Sequence, residues 1–354
     1  MFDQVLSAYG FRKSECTIVP LGNGLINNTW LLSSGNKSYV LQRINERVFS
    51  SPQKISENIE LIGDYLKKKN PAYTFVHPLR TAANRAYYHC EHDGYFRIFP
   101  FLEGSHTVDV VSTPQQAFEA AKQFGQFTKE MCDFDAGLLH LTLPDFHNLD
   151  LRYRFFLNAL EKGSPHRIQN AKELIEFLKG QNAIVSVYHQ ITKSPEFRKR
   201  VTHHDTKISN VLFDKQDRGL CVIDLDTVMP GYFISDVGDM MRTYLSPVSE
   251  EEEDVSKIVI REDYFRAVAE GYLGAMNEEL SPTEKKHFIY AGKFMIYMQA
   301  IRFLTDYLLN DIYYGRKSEH HNLHRALNQA SLLKRLLEKE EALEKILISI
   351  IAEN

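Results

Sequence analysis

The sequence predicts an α+β chain of two lobes, a small β-rich N-terminal lobe with one main helix and a larger, mostly helical C-terminal lobe. Three observations predict it. The first hundred residues hold runs of β-branched and aromatic residues broken by turn formers. From Pro114 onward apolar residues recur at helical spacing. The exception is a short strand-rich block from Val201 to Val228.

Taken in order, Leu25 to Leu32 and Ser38 to Ile44 read as strands, with Ser33-Ser34-Gly35-Asn36 as the turn between them. Pro52 to Lys68 reads as a helix, with Ser51 at the N-cap and Pro52 at the first helical position. Ile55, Ile59, Ile62 and Leu66 give it one apolar face. Further strands are expected at Thr74 to Val76, Ala86 to Cys90 and Tyr95 to Phe99. Thr113 caps a helix starting at Pro114 that presents Ala117, Phe118, Ala121, Phe124 and Thr128. A long helix is expected near Ser281 to Leu309, and an amphipathic one near Leu323 to Ile350. The change from strand to helix places a hinge at residues 100–104, between a lobe of residues 1–99 and one of residues 105–354.

The chain has 354 residues, long enough to bury a large core without staples. Its formal net charge of −4 gives no basic field for nucleic acid. There is no apolar run of membrane-spanning length, and the first residues lack the pattern of a signal peptide. Cys16, Cys90, Cys132 and Cys221 match no zinc or redox spacing and read as free thiols in a reducing cytoplasm. The five acids Glu250 to Asp254 read as a solvated loop or helix start. A cytoplasmic monomer, or at most a weak homodimer, is expected.

The chemistry concentrates in Val201-Thr-His-His-Asp-Thr-Lys-Ile-Ser-Asn-Val-Leu-Phe213 and Leu220-Cys-Val-Ile-Asp-Leu-Asp226. Val211 to Phe213 and Leu220 to Ile223 are apolar runs joined by Asp214-Lys-Gln-Asp-Arg-Gly219, a hairpin connection. Pairing the runs brings Asn210 beside Asp224 at one end of the ribbon, with Asp205 on the loop leading in. On an extended chain Asp224 and Asp226 face the same side. At roughly 6 Å their charges repel by about 2–3 kcal/mol at an effective dielectric near 20. A proton, a basic neighbour or a divalent cation must offset this. Two carboxylates and an amide oxygen form a hard-oxygen set suited to magnesium.

His203-x-Asp205-x-x-x-x-Asn210 followed by Ile223-Asp224 resembles the catalytic and metal motifs of the kinase-like phosphotransferases. Val222-Ile-Asp-Leu-Asp226 resembles the aminoglycoside phosphotransferase and choline kinase branch. Gly24-Leu-Ile-Asn-Asn-Thr29, Tyr39-Val-Leu-Gln-Arg-Ile-Asn45, Thr202-His-His-Asp-Thr-Lys207, Val222 to Gly231 and Arg302 to Tyr313 are similar to N-acetylhexosamine 1-kinases.

The resemblance implies a protein-kinase-like fold and a small-molecule kinase using ATP and Mg2+, with an amino sugar as acceptor. It implies that Asp205 acts as base, that Asn210, Asp224 and Asp226 are metal ligands, that Lys207 neutralises the transferred group and that His203 braces the loop. His204 is expected as an exposed bystander. Leu21 to Thr29 becomes a phosphate-covering loop, with Gly22, Gly24, Asn27 and Thr29 nearest the nucleotide and backbone at Phe99 to Phe101 near the base. A phosphate-binding lysine is expected after Tyr39-Val40-Leu41, but Gln42 and Arg43 stand there. Glu57 is the expected paired acid, with Glu60 as the alternative. Asp236 supports the catalytic loop, and Arg242 pairs with Asp236 or Asp239. Arg302, Asp306 and Tyr313 are expected at the sugar, and Arg302 and Asp306 are also at ion-pair spacing on a helix. Another sugar, choline or an aminoglycoside stays open as acceptor, as does a nucleotide-binding chain without catalysis.

Overall fold

The computed structural model describes residues 2–22 and 26–353. Gly24, expected at the nucleotide, lies outside the described residues. The chain opens with α1 (Phe2–Ala8), followed by β1 (Cys16–Pro20), β2 (Asn28–Ser34) and β3 (Lys37–Arg43). Then come α2 (Pro52–Lys69), β4 (Tyr88–Cys90) and β5 (Gly94–Pro100). These strands form one antiparallel sheet in the order β1-β2-β3-β5-β4. Neither α1 nor β1 was predicted, and the run Thr74 to Val76 forms no strand. The β2–β3 turn tightens to Gly35-Asn36, with Gly35 at φ +59 supplying the left-handed residue a two-residue hairpin needs.

Strand alternation gives the sheet two distinct faces. Leu32, Leu41, Phe96 and Ile98 form an apolar cluster with Val5 and Leu6 of α1. Because Arg43 lies opposite Phe96 in the β3–β5 register, it belongs to this α1 face. Thr29, Gln42 and Arg97 pair side by side across β2, β3 and β5 and occupy the other face. α2 does not pack on the sheet's apolar cluster. Its Ile55, Ile59, Ile62 and Leu66 join the core of the helical lobe. Asn58 ties it there: its amide donates to the His140 and Val228 carbonyls at 2.9 and 3.1 Å, and it accepts from His140 N–H at 2.8 Å. Ser51 makes no side-chain cap.

The helical lobe holds α3 (Pro114–Glu130), α4 (Leu149–Lys162), α5 (Pro165–Asn170), α6 (Lys172–Gly180) and α7 (Ala183–Lys193). β6 (Arg200–Thr202), β7 (Val211–Phe213), β8 (Gly219–Val222) and β9 (Met229–Gly231) follow, then α8 (Phe233–Tyr244), α9 (Glu262–Met276), α10 (Pro282–Lys286), α11 (Phe288–Leu308) and α12 (His321–Glu353). Thr113 caps α3 as predicted, accepting from Gln116 N–H. The long helix expected from Ser281 breaks at His287. Glu284 is drawn into a capping box with Ser281 and a buried pair with Arg200, which sets α10 as a separate turn. The connection after β5 adds His106, whose backbone exchanges two hydrogen bonds with Phe213 of β7 (2.9 and 2.8 Å). The four cysteines are free. No helix among the described residues is long and apolar enough to cross a membrane.

Candidate active site

The expected β7–β8 hairpin forms, with Val211 opposite Val222 and a register shift between Leu212 and Phe213. Ile223 N–H then donates to the Asn210 carbonyl at 2.9 Å, which brings Asn210 and Asp224 to the same end of the ribbon. The loop from β6 enters beside them and is fastened by its own backbone. Asp236, 1% exposed, accepts from the N–H groups of His203 (3.0 Å) and His204 (2.7 Å). Asp239 accepts from Thr206 N–H at 2.9 Å. Thr227 donates to the His203 carbonyl and Tyr244 to that of Thr206, both at 2.6 Å. His203 is fully buried, donates from Nε2 to Ile223 O at 2.9 Å, and meets the edge of Phe124. Burial lowers its pKa.

His204 departs from expectation. It is 5% exposed, sits at φ +66, and bonds the Thr202 carbonyl through Nδ1. Burial holds its pKa down at about 4, so the ring stays neutral.

This bracing presents Asp205. Its carbonyl accepts from Asn210 Nδ2 at 2.9 Å, and its carboxylate is 3.4 Å from Lys207 Nζ. Asp205 raises the Lys207 pKa, keeping the ammonium charged. With its Nδ2 committed to Asp205, Asn210 leaves its Oδ1 without a donor among the described residues. The Asp224 carboxylate likewise has none. Asp224 keeps a solvent-open surface although protein hems it in on several sides. Desolvation, then the charges of Asp226 and Asp205, push its carboxyl well above the ordinary range.

Asp226 is not placed beside Asp224 as an extended strand would place it. Asp224 takes left-handed backbone (φ 57, ψ 60), and Leu225 to Thr227 turn as a 3-10 helix. Asp226 therefore points to the sheet lobe. Its carboxylate lies 2.6 Å from Arg97 Nη1 and accepts from Asn27 Nδ2 at 2.8 Å. The basic neighbour that offsets the two carboxylates is Arg97, which the sequence reading missed. The available signal was a lone charge inside the apolar run Gly-Tyr-Phe-Arg-Ile-Phe-Pro. The other N-lobe expectations divide. Gln42 and Thr29 face this centre and bond each other at 3.3 Å, and Asn27 also accepts from Asn45 N–H. Gly22 is exposed at φ +67. Phe99 lies under the Arg97 guanidinium at 5.1 Å, and Phe101 N–H bonds the Ser38 carbonyl. Arg43 is on the far face. Glu57 pairs with His140 at 2.7 Å, and Glu60 pairs with Arg80. Both acids of α2 are thus paired elsewhere, and the acid that meets the sheet's Arg97 is Asp226.

The helical lobe gathers cations around His147, whose ring lies 5.3 Å from that of His204 and whose pKa burial and the charges of Arg302, Arg242 and Arg152 lower. Arg302, 9% exposed, bonds Gln299 and lies 5.7 and 5.6 Å from the rings of Phe146 and Tyr314. It makes no ion pair with Asp306. Asp306 instead accepts from the backbone N–H groups of Tyr313 (2.7 Å) and Tyr314 (2.9 Å) and from Asn322. Those bonds leave Asp306 as the anchor of the loop that carries Tyr313, itself 70% exposed. Arg152 feels Arg302 closely enough that burial and this like charge lower its pKa. The acid run forms the expected exposed loop, and Asp254 caps the 3-10 turn that follows it, but its first acids are held in ion pairs. Glu250 pairs with Arg242 and Arg325, and Glu251 with Arg325, Lys317 and His321. Arg242 chooses Asp239, at 2.9 Å.

Comparison with known proteins agrees with this geometry. The family model of the phosphotransferase enzyme family (APH) matches residues 17–272. A microcompartment-associated aminopropanol kinase has a similar structure, with a TM-score of 0.66 at 16% identity over 96% of this chain and 97% of that one. An aminoglycoside phosphotransferase from Alicyclobacillus acidocaldarius gives 0.63 at 13% identity over 99% and 96%. A choline kinase from Streptococcus pneumoniae gives 0.53 at 12% identity over 95% and 98%. The antiparallel sheet lobe on a helical lobe is thus the kinase-like fold, and the chain belongs to the phosphotransferase enzyme family as a small-molecule kinase.

Proposed function

We propose that this enzyme transfers the γ-phosphoryl group of ATP to the anomeric 1-hydroxyl of an N-acetylhexosamine, giving the sugar 1-phosphate. The observation that carries the acceptor assignment is that the acids of the helical lobe near Lys207 are already paired. The structural relatives include kinases named for choline, aminopropanol and aminoglycosides, which are cationic acceptors. Such an acceptor needs free acids facing it. Here Asp239, Glu250 and Glu251 are each committed to arginine or lysine. Lys207 and Arg302 remain, with the aromatic rings of Phe146, Tyr313 and Tyr314. That set suits a neutral acceptor with hydroxyls, a carbonyl and an apolar ring face.

Asp205 orients the acceptor hydroxyl and takes its proton as the bond to phosphorus forms. Lys207 holds positive charge beside it, where the equatorial oxygens of the transferred group gain charge. Asn210 Oδ1 and the Asp224 carboxylate are unspent hard-oxygen donors, the set that would hold magnesium. When bound, magnesium neutralises charge on the phosphates. Asp226 is engaged with Arg97 and Asn27 and is left out of the metal set. Asn27 and Thr29 lie over the phosphates, and backbone at Phe99 to Phe101 faces the base. Residues 100–104 act as the hinge.

The test is ADP release from ATP and magnesium with N-acetylglucosamine, N-acetylgalactosamine, glucosamine, glucose, galactose, choline, aminopropanol and kanamycin, with Asp205→Asn as blank. Turnover confined to the N-acetylated sugars, and absent with cationic glucosamine, supports the reading. Preferred turnover of choline, aminopropanol or kanamycin refutes it.

A further inference from the structure

The position after Tyr39-Val40-Leu41 carries Gln42, so β3 brings no cation to the nucleotide. Arg43 belongs to the α1 face. The cation that does face the metal end of the hairpin is on the neighbouring strand. Arg97 of β5 lies directly opposite Gln42 in register, and Gln42 lies opposite Thr29. The three side chains form a row: Gln42 Nε2 donates to Thr29 Oγ1 (3.3 Å), and Arg97 Nε donates to Gln42 Oε1 (3.1 Å). Gln42 thereby aims the guanidinium, and Phe99 lies beneath it.

A buried guanidinium with five donors ordinarily spends most of them. Arg97 is 2% exposed, yet among the described residues its side chain makes one aligned hydrogen bond, to Gln42. Its Nη1 lies 2.6 Å from Asp226 Oδ1. With Nε on Gln42 and Nη1 on Asp226, Nη2 of the fork has no partner among the described residues and keeps capacity for a second anion. Asn27, on the segment that follows Gly22, is held to the same carboxylate.

From this geometry we infer that Arg97 is the cation that grips the nucleotide's phosphates, taking over on β5 the task usually given to a β3 lysine. Gln42 is its positioning residue and Asp226 its resting partner. As Asn27 releases Asp226, the guanidinium turns part of its fork to the α- and β-phosphates. The guanidinium is suited to this exchange because one planar fork can serve a carboxylate and a phosphate together.

The inference rests on the nucleotide-dependent reading above, and the test separates the two. Affinities for ADP, AMP and adenosine are measured by calorimetry with magnesium for wild type, Arg97→Met, Arg97→Lys and Asp226→Asn, with melting curves for each. Arg97→Met is expected to weaken ADP by roughly 10- to 100-fold, the loss of one charged hydrogen-bonding group, and to leave adenosine unchanged. Arg97→Lys recovers part of the loss. Asp226→Asn, which frees the guanidinium, keeps or tightens ADP. Should Arg97→Met fail to fold, Arg97→Met/Asp226→Leu removes both buried charges together and is expected to show the same ADP-specific loss. Wild-type ADP affinity in a folded Arg97→Met or double variant overturns the inference. So does an equal ADP loss in Asp226→Asn, which makes the pair only a strut between lobes. A wild type that binds no nucleotide at all overturns the kinase reading itself.

Discussion

Asp236 gives the sharpest test of how the catalytic loop is held. Replacing it with alanine removes both acceptors for the His203 and His204 N–H groups, at 3.0 and 2.7 Å. His203 is fully buried and His204 is 5% exposed, so water does not readily replace the lost oxygens. Each unsatisfied buried donor costs about 1–3 kcal/mol, so the pair costs about 2–6 kcal/mol. Asp236→Asn keeps one acceptor oxygen and turns an amide N–H at the other donor, so it falls between wild type and alanine. The His204 backbone at φ +66 is a strained conformation that these bonds help to hold. Urea unfolding measures the stability loss, and ADP release per folded molecule measures the loop. The expected result is a stability loss in that range with turnover down at least 10-fold. A loss below about 1 kcal/mol, or an unchanged turnover per folded molecule, would refute the bracing argument.

Asp205→Asn should fold and bind nucleotide normally while turnover drops on the order of 10²-fold or more. Rapid-quench or coupled ADP assays beside calorimetry read both halves of that expectation. Asp224→Ala should abolish the magnesium dependence of ADP binding, so titrations with and without magnesium become identical. Arg200→Met leaves Glu284, 1% exposed, with its backbone donors but no cation, at a cost of about 3–5 kcal/mol read as a shifted urea midpoint. For Glu250, burial opposes ionisation, but Arg242 and Arg325 outweigh it and hold the carboxyl at about 2. The folded value lies below the unfolded one of about 4.5, so this stabilisation is complete above that pH and fades as pH falls toward 2. Glu250→Gln should therefore be less stable than wild type at pH 6, with the difference shrinking by pH 3. A constant difference would exclude this linkage.

Much of the site was legible in the chain because it is local. His203, Asp205, Asn210 and Asp224 lie within one loop and one hairpin, and pairing two apolar runs is enough to bring Asn210 and Asp224 to one end. Helices with a cap and a clear apolar stripe were legible for the same reason, as α3 and its Thr113 cap show. The short Thr74 to Val76 run carried strand-like residues but found no neighbour, since strand formation depends on a partner.

What only the tertiary structure decided concerns side chains whose partners are far away in sequence. Asp226 is a metal-ligand candidate by spacing, and it becomes the partner of Arg97 and Asn27 because a left-handed residue at Asp224 turns the chain. Glu57 and Glu60 are paired elsewhere, with His140 and Arg80. Glu250, one acid in a solvated-looking run, is fixed by arginines on α8 and α12. A charged side chain shows its type in the sequence, but the charge that compensates it when buried can come from any segment. Only folding selects which one, because burying a charge without its partner is too costly.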